Sequence, residues 1–482
     1  MTENTRSGEE RSEKDQPVAD AMTDPNIARM RAENDAYEAA NGRRRQAFVL
    51  TFGCQQNEAD SEKIAGMAEA MGYRMTNDPA KAELIMVNTC AIREHAEQKA
   101  LSIVGQYKHL KAKNPELVIG MCGCMVAQEH RREQIKHHYP YVDFVFGTAS
   151  LHRFPELLCA RLTRGKRQWC AEEAERTVEE GLPVRRESGY RAWVSIMYGC
   201  NNFCSYCIVP YVRGRERSRE MPQIVSEVRQ LVADGYRDIT LLGQNVNSYA
   251  KDRTNGGGYD FADLLRELDR IPGEYLLRFM TSHPKDAGQK LIDAMASSEH
   301  IAHQFHLPMQ SGSDRILRAM NRKYDTARYL DTVSYLRRQV PDVTLTSDII
   351  VGFPGETEED FEGTLRMLRE VRFDMLYSFI YSPRKGTPAA EMEQVPENVK
   401  KERFARLLEL QNEIGLEKNR TLLGKPLRVL CDGVSKNNPN LYSGRTDGNK
   451  IAFFEGSESD VGHFVSFTAD RADPYALYGK KN

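Results

Sequence analysis

The sequence predicts an α/β protein built from three folded parts: an N-terminal doubly wound parallel-sheet domain, a central partial (β/α)6 barrel and a small C-terminal all-β barrel. Strand patterns alternate with helix patterns over 46–162 and again over 190–381, which predicts two parallel sheets. After Gly424 the pattern changes to short alternating strands broken by turns, as is typical of a small β-barrel. The second stretch holds six β/α units, fewer than a complete barrel needs, so the central barrel is expected to be open.

The chain is expected to divide into five segments. In the first segment acidic residues outnumber basic ones and aromatic residues are few, so it cannot bury enough apolar surface to fold. Between the two parallel sheets we expect a charged linker that contains a short hairpin or helix. The expected segments are an acidic disordered tail at 1–44, an N-terminal domain at 45–161, the linker at 162–185, the central barrel at 186–416 and the C-terminal barrel at 419–482.

Four apolar runs in the N-terminal domain predict strands, at 47–52, 84–88, 117–120 and 142–147. Helical patterns follow the first, second and fourth runs, and this alternation predicts a parallel, doubly wound sheet. The first helix is expected to begin at a cap formed by Asp60 and Ser61, because apolar residues recur at helical spacing after that point.

Three cysteines follow three of these strands: Cys54, Cys90 and Cys124. Since the carboxyl ends of parallel strands meet at one edge of a sheet, the three side chains are expected to share one crevice. A lone cysteine at a strand end is more often a small core residue, but three at equivalent positions favour a metal site. Cys122 would point to the same face as Cys124 in an extended segment, so it is an alternative ligand.

The central barrel is predicted from strands that alternate with helical patterns, at 193–197, 239–242, 276–281, 303–307, 343–351 and 375–381. A long amphipathic helix, 397–421, then leads to the C-terminal barrel. Ligands of such a sheet bind at the carboxyl ends of its strands, and this is where the chain's densest cysteine cluster lies.

That cluster follows the first central strand and consists of Cys200, Cys204 and Cys207, a CxxxCxxC spacing. A zinc site normally needs four ligands, and no fourth Cys or His lies nearby in the sequence. Three thiolates on one loop suit a cubane [4Fe–4S] cluster that keeps one iron open for another ligand. The alternative interpretation is three buried structural cysteines.

Two turns at the ends of later central strands are candidates for contacts with a bound cofactor. The first is the segment Gly243, Gln244 and Asn245; the second contains Gly352, Gly355 and Glu356. Glycines in such turns let the backbone approach a flat ligand closely. Strand-ending glycines are common, so each turn alone is weak evidence.

Four alternating arginines follow the cysteine loop: Arg213, Arg215, Arg217 and Arg219. A charge run usually marks a solvated face. Arginines beside the mouth of an active site are also suited to bind the phosphates of a nucleic acid. The two interpretations have equal weight.

The cysteine spacing resembles the radical S-adenosylmethionine (SAM) superfamily, in which the open iron binds SAM. Nearly all of 46–482 further resembles the methylthiotransferase family within it. The matching segments are 51–61, 88–93, 123–128, 200–210 and, in a C-terminal part similar to the RNA-binding TRAM domain, 443–449.

The resemblance implies two [4Fe–4S] clusters: one on Cys200, Cys204 and Cys207 that cleaves SAM, and an auxiliary, sulfur-donating one. It assigns the auxiliary ligands as Cys54, Cys90 and Cys124, and it implies two SAM per turnover. Segments 211–219, 281–286, 306–313 and 381–390 look most like the family members that act on N6-(dimethylallyl)adenosine (i6A). The implied reaction is methylthiolation of C2 of i6A at position 37 of tRNAs that read codons beginning with uridine.

Partners implied with it are the tRNA anticodon stem-loop and an electron donor such as flavodoxin or ferredoxin, for an enzyme expected to be a cytoplasmic monomer. A formal net charge of −2 requires any RNA contact to come from local basic patches. No segment is apolar enough to be a signal peptide or to span a membrane. Ten cysteines in such a chain favour metal or redox chemistry over disulfides.

Several alternatives stay open. The family's other targets are threonylcarbamoyladenosine in tRNA and an aspartate of a ribosomal protein. The chain could instead be a radical enzyme that acts on a small molecule, with a purely structural β-barrel. It could also be an RNA-binding module whose cysteines hold zinc.

Overall fold

The structure is a computed structural model, which describes residues 24–91, 94–170, 178, 180–253 and 258–482. Its helices are α1 (Pro25–Asn41), α2 (Gln55–Ala70), α3 (Glu94–Lys113), α4 (Glu129–His138), α5 (Phe154–Arg164), α6 (Val209–Arg213), α7 (Met221–Ala233), α8 (Phe261–Asp269), α9 (Gln289–Ala296), α10 (Asp314–Ala319), α11 (Thr326–Gln339), α12 (Glu358–Val371) and α13 (Glu397–Arg420).

Its strands are β1 (Gln46–Thr51), β2 (Arg74–Met75), β3 (Leu84–Thr89), β4 (Val118–Gly123), β5 (Phe144–Phe146), β6 (Gln168–Cys170), β7 (Arg191–Ser195), β8 (Met197–Tyr198), β9 (Arg217–Ser218), β10 (Asp238–Leu242), β11 (Leu276–Met280), β12 (Gln304–His306), β13 (Thr344–Val351), β14 (Met375–Ile380), β15 (Pro426–Val434), β16 (Tyr442–Thr446), β17 (Ile451–Phe454), β18 (Phe464–Ala472) and β19 (Ala476–Lys481).

The N-terminal sheet has six strands in the order β2-β1-β3-β4-β5-β6, and all pairs are parallel. One face of the sheet packs against α1, α2 and α5 through a cluster that contains Met30, Met67 and Leu158. The other face packs against α3 and α4 through Val104 and Ile135. Helices on both faces confirm the doubly wound prediction.

Helix α1 contradicts the prediction that 1–44 is a disordered tail. It begins at Asp24, whose side chain accepts a hydrogen bond from the backbone N–H of Asn26 and caps the helix. Two of its residues, Ile27 and Met30, are buried in the core of the N-terminal domain. The acidic composition hid these few apolar positions. Residues 1–23 lie outside the described part of the chain.

Two further local predictions are wrong. Helix α2 begins at Gln55 and not at the expected cap, so Asp60 and Ser61 lie inside the helix, where both are buried. Strand β6 falls in the segment predicted as a linker and adds a sixth strand to the sheet. Only three residues long, β6 carries too short a pattern to be distinguished from a loop.

Six parallel strands form the central barrel, in two sheets of order β11-β10-β7 and β12-β13-β14. A parallel bridge from Leu277 to Ile301 joins the two sheets. Helices α7 to α13 cover the outside, and one continuous core fills the space between strands and helices. The open (β/α)6 prediction is confirmed.

The C-terminal strands form a closed barrel of order β15-β16-β17-β19-β18, as predicted. This barrel packs against the amino-terminal ends of the central strands. There Arg191 pairs with Asp432 at 2.7 Å, and Arg278 donates to the backbone carbonyl oxygen of Asp447 at 2.8 Å. A cavity of about 680 Å³ lies between the two barrels. The cysteine loop lies at the opposite end of the central strands.

Within the described ranges, no helix has the length and apolar character needed to cross a bilayer.

Candidate functional site

The loop that carries Cys200, Cys204 and Cys207 is closed at its base by the antiparallel pair β8 and β9. Gly199, with a φ of 77°, begins this loop, and a Cβ there would lie 2.0 Å from the carbonyl oxygen of Arg215. Only glycine therefore fits. The N–H of Gly199 donates to Oε1 of Gln244 at 2.5 Å, so the turn after β10 helps to hold the cysteine loop.

The three thiols of this loop are largely shielded from solvent, and the loop turns back on itself through a hydrogen bond from the Cys207 N–H to the Cys204 carbonyl oxygen at 3.0 Å. Burial raises the pKa of Cys200 to about 11 and that of Cys207 to about 12. In this environment a thiolate requires a positively charged partner.

Such a partner lies beside Cys204. The guanidinium of Arg322 is 3.5 Å from the Cys204 sulfur and donates to the carbonyl oxygen of Pro308 at 2.9 Å. Arg322 is itself buried. Sequence analysis missed Arg322, because it lies 118 residues from Cys204 and no sequence pattern links the two positions.

The second triad lies where the predicted sheet edge placed it. Cys54 is the residue before α2, Cys90 follows β3 and Cys124 follows β4. The backbone N–H of Cys124 donates to the Thr89 carbonyl oxygen at 2.8 Å, which ties the ends of β3 and β4 together. The pKa of Cys124 is raised to about 12, chiefly by burial; the neighbouring Cys90 and Cys54 also raise this pKa, and Arg213 opposes them. The three thiols therefore share one crevice.

Cys122 and Cys124 point in different directions, contrary to the expectation for an extended segment. Gly123 between them has a φ of 96°, which breaks the alternation of side chains. Cys122 lies in the cluster of the N-terminal sheet that also contains Phe146, whereas Cys124 packs against Val212 of the central domain. Cys122 is therefore a core residue in this arrangement.

The four arginines after the cysteine loop do not form an exposed basic stripe. Arg213 is buried and forms an ion pair with Asp60 at 2.9 Å; Arg219 is buried and pairs with Glu180 and Glu227. The RNA-binding interpretation is wrong for these two arginines, because their guanidinium groups are already engaged with carboxylates.

The other two arginines lie nearer the surface. Arg217 is half-buried and donates to the backbone carbonyl oxygens of Arg213 and Arg215. Arg215 is exposed, with its guanidinium 4.4 Å from the centre of the Phe203 ring. Phe203 in turn meets the exposed Tyr211 edge to face at 5.9 Å. An exposed aromatic and an arginine thus stand together on the cysteine loop.

The turn after β10 faces the cysteine loop. A Cβ at Gly243 would lie 2.6 Å from the Met197 side chain, so this position needs a glycine for close packing. Asn245 donates its side-chain amide to Asp286 at 2.8 Å. Within the part of the chain that the structure describes, its Oδ1 is buried and has no hydrogen-bond partner, and the same holds for Oδ1 of Asn202 and Oγ of Ser282. Orphaned polar atoms in one region indicate a polar ligand.

The turn after β13 is occupied by contacts of its own. Glu356 accepts hydrogen bonds from the Gly352 N–H at 2.8 Å and from Arg403 of α13 at 3.1 Å, and it is buried. Burial raises the pKa of Glu356 to about 7. A Cβ at Gly352 would meet Lys400 of α13 at 2.4 Å. Packing against α13 therefore accounts for Gly352 and Glu356; Gly355 has open space around it.

All ten cysteines lie in the described part of the chain, and none forms a disulfide. Among the described residues, no three His, Cys, Asp or Glu side chains converge as ligands of a single metal ion. In a cubane each thiolate binds a different iron, so the three sulfurs surround the cluster and do not meet at a point. Two buried triads, each with a buried arginine beside one thiol, suit two such clusters.

Two family models match the chain. The model described as the radical SAM superfamily matches residues 194–368. The model described as uncharacterized protein family UPF0004 matches residues 46–147, which include all three cysteines of the second triad.

Two curated relatives match nearly the whole chain. A protein of Acetivibrio thermocellus is 50% identical over 447 residues, which cover 92% of this chain and 93% of that one. A protein of Caldicellulosiruptor saccharolyticus is 50% identical over 448 residues and covers 93% of this chain and 94% of its own. Both are named tRNA-2-methylthio-N(6)-dimethylallyladenosine synthase.

A solved structure shares the fold at low sequence identity. It is a radical SAM methyltransferase from Kitasatospora setae with cobalamin and a [4Fe–4S] cluster bound. The match has a TM-score of 0.52 at 15% identity and covers 72% of this chain and 74% of that one.

Proposed function

The chain belongs to the tRNA-2-methylthio-N(6)-dimethylallyladenosine synthase family of radical SAM enzymes, and on this premise we propose the reaction it catalyses and the residues that serve it. The protein is a transferase that converts i6A in tRNA to its 2-methylthio derivative. It uses SAM and [4Fe–4S] clusters. We further propose that the target is position 37 of tRNAs that read codons beginning with uridine.

The observation that carries the proposal is the meeting of the two cysteine triads. Cys124 of the N-terminal domain packs against Ile208 and Val212, which directly follow Cys207 of the central loop. Contacts between Gln56 and Ser195 at 2.8 Å and between Lys63 and Tyr198 at 2.8 Å hold the two domains together beside this point. Two clusters held there would face a common space.

In this proposal Cys200, Cys204 and Cys207 hold the cluster that binds SAM, and Cys54, Cys90 and Cys124 hold the auxiliary cluster. When bound, these groups supply the carbon-centred radical and the sulfur that an unactivated C2–H of adenine requires. The turn at Gly243, Gln244 and Asn245 is proposed to contact SAM, since Asn245 Oδ1 is a buried acceptor with no hydrogen-bond partner among the described residues. Gly352, Gly355 and Glu356 could contribute only through their backbone.

The chain's own task is to bind, orient and keep water out. Tyr211, Phe203 and Arg215 lie on the cysteine loop, where an exposed ring and a guanidinium suit stacking with an RNA base and contact with its phosphate. A base within a stacked loop must be unstacked first, at a cost of a few kcal/mol. We propose that this aromatic pair offsets part of that cost.

The remaining partners stay predictions. The substrate is a tRNA, and we propose that the enzyme contacts its anticodon stem-loop. We also propose an electron donor such as flavodoxin or ferredoxin, a monomeric state and a cytoplasmic location.

The decisive experiment is mass spectrometry of tRNA nucleosides from cells that lack the gene. We expect 2-methylthio-i6A to be absent and i6A to accumulate. The wild-type gene should return both nucleosides to their normal levels. The variants Cys90→Ala and Cys204→Ala should not restore the product, because each removes a proposed ligand of one cluster.

Two outcomes would contradict the proposal. In the first, the methylthio derivative of threonylcarbamoyladenosine is lost and 2-methylthio-i6A is unchanged. The substrate would then be threonylcarbamoyladenosine, the family's other tRNA target. In the second, the tRNA nucleosides are unchanged and the modification of a ribosomal protein aspartate is lost. The substrate would then be that protein and not a tRNA.

A further inference from the structure

Arg213 links the two domains at the crevice. It is the last residue of α6, the short helix that directly follows the cysteine loop. Its guanidinium reaches across the domain boundary and donates to the Cys124 sulfur at 3.2 Å, to Asp60 at 2.9 Å and to Asn57 Oδ1 at 3.5 Å. The acceptors all belong to the N-terminal domain.

We propose that Arg213 is a positioning residue that completes the auxiliary cluster site from the central domain and raises the reduction potential of the cluster bound there. The inference rests on the function proposed above, because it takes Cys124 to be a cluster ligand.

Burial makes these contacts matter. Arg213 and Asp60 are both largely buried, with side chains 5% and 9% exposed. Asp60 lies within α2, where it accepts hydrogen bonds from Arg213 at 2.9 Å and from the side-chain amide of Gln56 at 3.1 Å. Removal of one member of a buried ion pair leaves the other charge uncompensated. Arg213 therefore neutralises Asp60 and still presents an N–H to the cysteine.

The charge of Arg213 is secure. An arginine guanidinium is not deprotonated in proteins, so the Arg213 side chain beside Cys124 and Asp60 carries a full positive charge. Hydrogen bonds to the cluster sulfurs and a positive charge nearby stabilise the reduced, more negative form of an iron–sulfur cluster. A fixed guanidinium at a ligand sulfur therefore favours a higher potential.

The arrangement has a counterpart at the other triad. Arg322 lies 3.5 Å from the Cys204 sulfur, but its other partners belong to the central domain itself. Arg213 is different because it stands on the segment beside one cluster and contacts the ligand of the other. The geometry of α6 thus fixes the auxiliary site relative to the cysteine loop.

The test uses the full chain with Cys200, Cys204 and Cys207 replaced by alanine, so that only the auxiliary cluster is reported. Into this background we would introduce Arg213→Gln, Arg213→Lys and, as a matched control, Arg215→Gln, which removes an exposed arginine two residues away. Each reconstituted protein is analysed for iron and acid-labile sulfide and titrated potentiometrically with detection by electron paramagnetic resonance.

We expect Arg213→Gln to shift the reduction potential of the auxiliary cluster to more negative values and to change the resonance spectrum. Arg213→Lys keeps the positive charge, so its potential should stay close to that of the background protein. Arg215→Gln should have the same potential as the background protein. If Arg213→Gln keeps its iron and its potential, the proposal is overturned. If Arg213→Gln loses its iron, the result for Arg213→Lys decides. The proposal is supported if Arg213→Lys keeps its iron and its potential, and it is overturned if Arg213→Lys loses as much iron as Arg213→Gln.

Failure of the proposed function has a different signature. The background protein itself would then bind no cluster, or the wild-type chain would bind one cluster in place of two. These results would be seen before any arginine is changed.

Discussion

Among single residues, Gly123 sets the directions in which the two neighbouring cysteines point. Its positive φ sends Cys122 into the core of the N-terminal domain and Cys124 into the crevice. A Cβ at this position would lie 2.3 Å from the Thr89 carbonyl oxygen. Any other residue must therefore shift the ends of β3 and β4, which carry two of the three auxiliary thiols.

The two neighbouring cysteines give a direct comparison. We expect Cys124→Ala to lose about half of the wild-type iron, since one of two cubanes is lost, and to make no methylthio product. Cys122→Ala should keep both clusters and lose about 1–2 kcal/mol of stability from core packing. Iron analysis and thermal unfolding distinguish the two variants. Full iron content in Cys124→Ala would show that Cys124 is not required as a ligand and would make Cys122 the alternative ligand.

A second comparison tests the glycine itself. Gly123→Ala should destabilise the apoprotein by about 1–3 kcal/mol through backbone strain, with added cost from the overlap with Thr89. Gly105→Ala is the control: it lies in α3 with open space around its Cβ position, so it should stabilise by about 0.5–1 kcal/mol. Melting temperatures measure both; a harmless Gly123→Ala would show that the turn can adapt.

Sequence reasoning found the cysteines but not the charges that accompany them. Cys54, Cys90 and Cys124 follow strands whose apolar runs are plain to see. Arg213 was singled out only as a possible phosphate contact and Arg322 not at all, because a charged residue looks the same in a sequence whether it is solvated or paired in the interior. Their partners lie 89 and 118 residues away. Only the folded chain brings these partners together.

At the scale of elements, α1 shows how a few apolar residues can anchor an acidic segment. Ile27 and Met30 enter the core, and Asn34 donates its side-chain amide to the Met71 carbonyl oxygen at 2.8 Å. Gly42 ends the helix in a left-handed conformation. The helix thereby covers one face of α2 and α5, which hold the sheet on that side.

This packing predicts different effects of two truncations. Removal of 1–23 keeps Asp24 and all of α1 and is the reference truncation. Removal of 1–42 exposes the core beneath Met30 and should lower the melting temperature by several degrees. The point variant Met30→Ala should cost about 2–5 kcal/mol. Equal melting temperatures for the two truncations would show that α1 adds no stability.

The elements that sequence analysis missed share a physical cause. Strands β2 and β6 span two and three residues at the edges of the sheet. Their pairing comes from hydrogen bonds to β1 and β5, which depend on the position of the neighbouring strand and not on local side chains. Long buried strands such as β3 and β13 were predictable because their composition alone specifies them.

At the scale of the whole molecule, the cysteine loop and the C-terminal barrel lie at opposite ends of the central strands. The loop follows the carboxyl end of β7. The C-terminal barrel contacts Arg191, which lies at the amino-terminal end of β7. The interface is polar, with Arg278 donating to the backbone carbonyl oxygens of Thr446 and Asp447. A tRNA that touches both would extend along the side of the central barrel.

Deletion of 422–482 tests this arrangement. We expect both clusters and SAM cleavage to persist, since no cluster cysteine lies in the deleted part, and tRNA binding to weaken by at least about tenfold, or ~1.4 kcal/mol. The melting temperature should fall, because Arg278 and Arg191 lose partners. The control Asp432→Ala removes only the carboxylate that pairs with Arg191 and Arg445, and it should retain tRNA binding. Undiminished turnover by the truncated enzyme would show that the barrel does not grip RNA.

The contact between Arg213 and Cys124 also orders events during synthesis of the protein. Cys124 leaves the ribosome 89 residues before Arg213, a delay of about 4–18 s at roughly 5–20 residues per second. Throughout that interval the nascent N-terminal domain exposes its thiols without the guanidinium, and Asp60 has no arginine to pair with. Delivery of iron and sulfide to these cysteines is therefore expected to follow translation of the central domain, on a chain already docked upon itself.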